Sequence, residues 1–322
     1  MKKRKIFDPQ KCIQKLVSFS PRQLEGEDKT RAYIMSILDK FAIPYTVQKF
    51  QTRIPIIKRA KLFVDGKSIT CKGCCFIGGE ITGKDAIISS LISSQKFLYE
   101  TNINFNPRCQ NISLSNFYFA PSIAVDPKGL QKIIAGKKVF GSMSVFSQKH
   151  ESANILVGNT QSPQALVFAH YDSVEKGAID NASGVAVTMD TILSYLETLK
   201  TTLFIFSGNE ELSYDQPIYW GRGFRIFEKK YPCLMQSARR IYIVDCVGNG
   251  KTMISQDAHT MPLAFPIQNI QKWKKKIFFL YGDLEGLMRV YHSDLDMPRG
   301  IQGQFLKDAK KTLVSCIQSL RI

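Results

Sequence analysis

Four polar clusters, each placed at or just past a short apolar run, constrain this chain more than any other feature. Ala165–Ala169 is unbroken apolar sequence and leads directly into His170-Tyr171-Asp172. Leu203–Phe206 leads across Ser207-Gly208-Asn209 into Glu210-Glu211, Ile241–Val244 ends on Asp245, and Met288–Tyr291, read as a further strand, ends on His292. Continuous apolar runs of this length are what strands buried on both faces look like. Ile277–Leu280 is another such run. Ala182, Val185, Ala186, Met189, Ile192, Leu193, Leu196 and Leu199 recur at helical spacing, and Phe305, Leu306, Ala309, Leu313, Cys316, Ile317 and Leu320 do so near the C-terminus. Strand and helix in alternation predict an α/β sheet with helices on both faces.

The first part of the chain fits the same plan. Cys12–Phe19 and Asp28–Phe41 read as helices, and Tyr45–Phe50 alternates as a strand. From residue 54 to 150 the texture changes. Leu62–Val64 and Ile69–Cys71 flank Asp65-Gly66, a tight hairpin turn, and Ala86–Ile92, Ala120–Val125 and Val139–Phe146 are short strand-like runs among Gly, Pro, Asn and Ser. At 322 residues the chain is long enough for one large domain with an insertion. The division expected is a catalytic domain from 1–53 and 151–322, with a small β-rich domain, 54–150, inserted into it.

Charge and cysteines narrow the function. The net charge of +17 invites a nucleic-acid partner, but the basic clusters (Lys2–Lys5, Lys58–Lys61, Lys229–Lys230, Arg239–Arg240, Lys272–Lys276) are short and dispersed, and no nucleic-acid fold motif accompanies them. A solvated basic surface is expected, with acidic peptides or anionic surfaces as a secondary reading. No run is long enough for a membrane span. The eight cysteines are scattered, which favours free thiols; Cys71-Lys-Gly-Cys74-Cys75 lacks a second ligand pair and is read as buried thiols. The basic start MKKRKIFDPQKC is followed by no apolar stretch of the signal-peptide kind, so a cytoplasmic location is expected.

In open α/β sheets, ligands gather at the carboxyl ends of parallel strands. Four polar clusters from remote segments therefore converge on one edge. His170 and His292 with Asp180, Glu211 and Asp245 form a nitrogen and oxygen donor set suited to zinc. Asp180, in Gly-Ala-Ile-Asp-Asn-Ala-Ser-Gly ahead of a helix, is placed to reach two metals at once. Two zinc ions about 3.5–4 Å apart hold a bridging hydroxide and polarise a scissile carbonyl. Of the adjacent carboxylates, Glu211 is expected on the metal and Glu210 as general base, while Asp172 orients His170. His150 and His259 have no such setting and are left unassigned.

The stretches AHYDSVEKGAIDNASGVAV, FSGNEEL, IVDCVG and YHSDLD resemble the co-catalytic zinc aminopeptidases, metallopeptidase family 28, whose relatives include glutamate carboxypeptidases and glutaminyl cyclases. The resemblance covers roughly residues 150–322, and Asp28–Phe50 looks like the family's opening helix and strand. It implies a zinc-peptidase-like α/β fold, a three-layer mixed sheet flanked by helices on both faces, with His170 and Asp245 on one zinc, Glu211 and His292 on the other, and Asp180 bridging. It also implies Glu210 as base, Asp172 as orienter of His170 and Asp296 as support for His292. By position and texture, 54–150 resembles the protease-associated or apical domain of some members. The sequence departs from the family after Glu210-Glu211, where Leu212–Tyr219 inserts Ser-Tyr-Asp-Gln-Pro before Trp220-Gly221-Arg222-Gly223, so specificity cannot be carried over. Trp220, Arg222 and Tyr291 are candidates for shaping the pocket. The activity implied is a zinc exopeptidase, an aminopeptidase acting on peptides. The alternatives are a glutaminyl cyclase-like acyltransferase with one zinc and a carboxypeptidase acting on acidic dipeptides. Oligomeric state is left open.

Overall fold

The apolar runs at 165, 203, 241 and 277 become neighbouring strands. A computed structural model of the chain describes residues 6–84, 86–91, 97–216 and 218–321; the Lys2–Lys5 cluster, Ile92 and Pro217 lie outside the described residues. Its strands are β1 (Tyr45–Val64), β2 (Lys67–Ile69), β3 (Lys72–Gly73), β4 (Gly79–Thr82), β5 (Ile87–Ser89), β6 (Asn102–Phe105) and β7 (Ser122–Ala124). They continue with β8 (Val139–Gly158), β9 (Ala165–His170), β10 (Thr202–Ser207), β11 (Arg240–Val244), β12 (Met253–Ser255) and β13 (Ile277–Tyr281). The main sheet runs β12-β13-β11-β9-β10-β8-β1-β2, with β4 also on β8. Its centre, β13, β11, β9 and β10, is parallel, whereas β8 and β12 join antiparallel. The sheet is therefore mixed, as expected.

Side-chain alternation splits the core into two layers. Val167, Ala169, Phe204, Phe206, Tyr242 and Val244 face helices Pro9–Val17, Glu25–Lys40, Ser183–Ser194 and Gly303–Gln318. Leu166, Phe168, Leu203, Ile205, Ile241 and Ile243 face the opposite layer, which includes helices Arg222–Lys230 and Pro232–Ser237. Phe168 is fully buried there, with ring centroids 5.6, 5.1 and 4.9 Å from Phe224, Phe227 and Phe265. Such a ring contributes about 1.5–3 kcal/mol by burial. Helix starts follow local chemistry: Asp8, ahead of Pro9, accepts from the amides of Gln10 and Lys11 at 3.0 and 3.2 Å.

β1 and β8 are much longer than the short alternating segments expected, pairing from Tyr45 with Val157 to Val64 with Val139. The expected division points, after residues 53 and 150, fall inside these strands. Both strands run whole through the main sheet: β10 pairs with the inner end of β8, and the outer halves carry β2, β4 and a second core of Leu62, Val64, Ile81, Ile103, Ile123, Ile133 and Met143. A separate sheet, β3-β7-β6-β5, completes that end. Met288–Tyr291 is not a strand. Asp283 caps a short helix, Leu284–Met288, by accepting from Gly286 at 2.9 Å, and the chain then turns into His292. Four residues are too few for periodicity to separate strand from helix. No helix among the described residues is long and apolar enough to cross a membrane.

Candidate active site

The parallel strands deliver their polar ends together. His170 closes β9 in register with Ser207, which closes β10. Beyond β10 the chain turns at Asn209, φ +51°, whose side chain is held by Thr52. Gly208 is required before it, because a Cβ there would lie 2.6 Å from oxygens of Glu27, Ser152 and Tyr171. The turn aims the amides of Glu210 and Glu211 at Asp172, each at 2.9 Å from a different carboxylate oxygen. Asp172 therefore clamps the Glu210-Glu211 backbone, and its oxygen stands 3.6 Å from His170 Nδ1, beyond hydrogen-bond reach. Arg22, fully buried, secures the same loop by donating to the carbonyls of Tyr171, Lys176 and Gly177 at 2.7, 3.0 and 2.9 Å.

Asp180 sits where the helical turn Ala178–Ala182 departs from helical dihedrals, next to a cis Asp180–Asn181 peptide. Asp296 receives the amides of Ile179 and Asp180 at 2.8 and 3.1 Å, so it holds Asp180 rather than His292, contrary to the expectation. Asn181 bonds the Val244 carbonyl at 2.9 Å, tying this turn to the end of β11, where Asp245 follows. His292 is brought in by a loop: its Nδ1 bonds the Leu114 carbonyl at 3.0 Å, and Tyr291 stacks on its ring at 3.8 Å.

The structure brings all five expected donors together in two facing sets. His170 Nε2 lies 3.2 Å from Asp180 Oδ1 and 3.4 Å from Asp245 Oδ1. His292 Nε2 lies 3.4 Å from Asp180 Oδ2 and 2.9 Å from Glu211 Oε2. Zinc with ligands at about 2.0–2.2 Å in tetrahedral array separates them by about 3.3 Å, so the spacing suits that ion. Glu211 Oε1 is buried with no hydrogen-bond partner, which a metal would satisfy. His170–Asp180–Glu211 and Asp180–Asp245–Cys246 are the groups of donors that converge closely among the described residues.

Charge is crowded here. Burial alone lowers the proton affinity of His170 and His292, but Asp245, Asp172 and Asp180 around the first, and Glu211 and Asp180 around the second, raise both well above the ordinary histidine value. Asp180 is buried too, yet the two histidines hold its carboxyl below the usual range. Burial pushes Glu211 up to about 7, His292 opposing, and drives Glu210 well above the ordinary carboxyl value.

Ser115, Asn116, Tyr219, Trp220, Leu263 and Tyr291 wall the pocket over these groups. Trp220 and Tyr291 were candidates; Arg222 is turned away, paired with Asp215 at 2.7 Å. Tyr219 ends the inserted Leu212–Tyr219 loop that set this sequence apart, whereas Ser115, Asn116, Leu263 and the clamp Arg22 carry no signal in the sequence, since none adjoins a strand end or a motif. His150 lies 3.3 Å from buried Glu27. The eight cysteines are free, and burial pushes the Cys71 thiol up to about 11 and raises Cys74 and Cys75 as well, so these are thiols rather than thiolates.

Residues 153–237 match the family model of peptidase family M28, the family the motifs resemble. No curated protein matches the chain in sequence. Among solved structures, a zinc aminopeptidase from Bacillus subtilis is similar with a TM-score of 0.67 at 14% identity, over 97% of this chain and 94% of that one. An aminopeptidase from Aneurinibacillus sp. strain AM-1 gives 0.61 at 14% identity, over 97% and 92%. The glutaminyl cyclase of Porphyromonas gingivalis gives 0.51 at 13% identity, over 97% and 96%. The chain carries the zinc-peptidase-like α/β fold of that family and, from 153 to 237, its sequence pattern.

Proposed function

We propose that this chain is a zinc-dependent exopeptidase, an aminopeptidase that removes N-terminal residues from peptides. One observation carries the reading: the two oxygens of Asp180 face different histidines, at 3.2 and 3.4 Å, each completed by a further carboxylate. His170 and Asp245 would hold one zinc ion, His292 and Glu211 the other, and Asp180 both. Zinc held there supplies Lewis acidity toward water and a carbonyl oxygen.

Glu210 is the general base. Its amide is held by Asp172 and its carbonyl by the amide of Gly221, so the backbone is fixed on both sides while the side chain reaches the pocket. A carboxyl whose proton affinity is raised by burial can take a proton from the attacking water and return it to the leaving amine. Among the described residues, the pocket wall contains no Lys or Arg to pair with a substrate carboxylate, which favours an aminopeptidase over a carboxypeptidase for acidic dipeptides. The complete five-residue donor set favours hydrolysis with two ions over a one-zinc cyclase. Residues 54–150 are proposed as an inserted domain carried on the outer halves of β1 and β8.

Zinc-loaded protein should cleave aminoacyl nitroanilides and peptides with free N-termini, and spare N-blocked peptides. Chelation should abolish cleavage and zinc restore it. Cleavage of N-blocked peptides, cyclisation of N-terminal glutamine, or activity surviving exhaustive chelation would each overturn this reading.

A further inference from the structure

His292 lies on a loop with no regular structure, in the left-handed region at φ +46°, where a non-glycine residue needs outside support. That support comes from a segment about 180 residues away in sequence, outside the family match. Leu114 grips His292 twice: its amide donates to the His292 carbonyl at 2.9 Å and its carbonyl meets the ring Nδ1 at 3.0 Å. Ser113 Oγ donates to the Tyr291 carbonyl at 2.6 Å. Buried Asn106 spans both sides, donating to the Met288 carbonyl at 3.0 Å and to Ser113 Oγ at 3.2 Å.

A carbonyl oxygen can only accept. In the neutral ring that binds a metal, the Leu114 contact therefore keeps the proton on Nδ1 and leaves the lone pair on Nε2, the atom facing Asp180 and Glu211. His170 has no equivalent: its Nδ1 is buried without a hydrogen-bond partner.

We propose that segment 106–114, through Asn106, Ser113 and the Leu114 carbonyl, is the positioning element that sets the tautomer and aim of His292 and so tunes the second of the two metal positions. This rests on the metal reading above. Partners of this kind for a ligating histidine are worth about 10–100-fold in metal affinity.

The test is zinc binding by the full chain, measured by chelator competition alongside the melting temperature of the zinc-free protein. Ser113→Ala and Asn106→Leu should weaken one of two zinc ions about 10–100-fold and leave the other unchanged. Ser113→Thr, which keeps the hydroxyl, should retain wild-type affinity. A merely structural role would lower the zinc-free melting temperature without separating the two ions. Should Asn106→Leu fail to fold, the Ser113 pair decides, because alanine and threonine differ in the hydroxyl that meets Tyr291. Folded Ser113→Ala protein binding both ions as wild type does would overturn the proposal while His292→Ala still loses one ion. If His292→Ala also keeps both, the metal reading falls, and the proposal with it.

Discussion

The two histidines of the site reach the same place by different routes. His170 is the last residue of a central parallel strand, and its position follows from the sheet: Ser207 beside it, Tyr171 bonded to the next strand at 2.9 Å, and Asp172 clamping Glu210 and Glu211. His292 belongs to no strand, and backbone and side-chain groups of 106–114 hold it. Half the site is thus a property of the sheet edge, and half of a contact between distant segments. The sheet half should tolerate loop changes, while the other should respond to changes remote from the metal.

Asp180 joins the halves, so its replacement should have the largest effect. Asp180→Ala should take zinc content below one ion per chain and activity below detection; retention of two ions would dissolve the link. Glu210→Gln removes the proposed base alone and should lower kcat by about 10²–10⁴-fold with zinc content unchanged. Asp172→Asn puts an amide NH₂ where the Glu210 and Glu211 amides need acceptors. It should cost about 10–100-fold in activity, with the zinc position shared by His292 and Glu211 weakened more than that of His170 and Asp245. Equal weakening would place Asp172 with His170 instead.

Two smaller effects depend on pH. Both site histidines are held well above the ordinary histidine value and must lose protons to bind metal, so zinc binding should release protons. Apparent affinity should therefore rise from about pH 6 to about pH 8, read by competition with a chelator of known pH dependence. A flat profile would contradict it. His150, away from the donors, is drawn down by burial but raised on balance by Glu27 and Asp28. A raised folded value means its stabilisation is complete below the unfolded value of about 6.5 and is lost as pH rises through the folded one. The gap in urea midpoint between wild type and His150→Gln should accordingly be larger on the acid side and close toward alkaline pH.

How much was legible follows the same divide. The sheet strands at Ala165, Leu203, Ile241 and Ile277 were readable because burial on both faces leaves a continuous apolar run, and the polar residues at their ends stand out against it. Asp180, Glu211 and His292 were readable by residue type and order. The strand expected at Met288–Tyr291 was not one, because a run so short has no period. The length of β1 and β8 was hidden, since their outer halves, with Lys58, Arg59 and Lys61 exposed, lack a clean alternation.

By itself the sequence determined the layered α/β plan and the chemical identity of the proposed donors, because both depend on side chains whose polarity is written into each residue. Tertiary structure alone decided which groups hold those donors: Asp296 on the Asp180 amide, Arg22 beneath the Asp172 loop, the Leu114 carbonyl on His292. Those partners work largely through backbone amides and carbonyls. Almost every residue carries the same ones, so only folding distinguishes the one that is used.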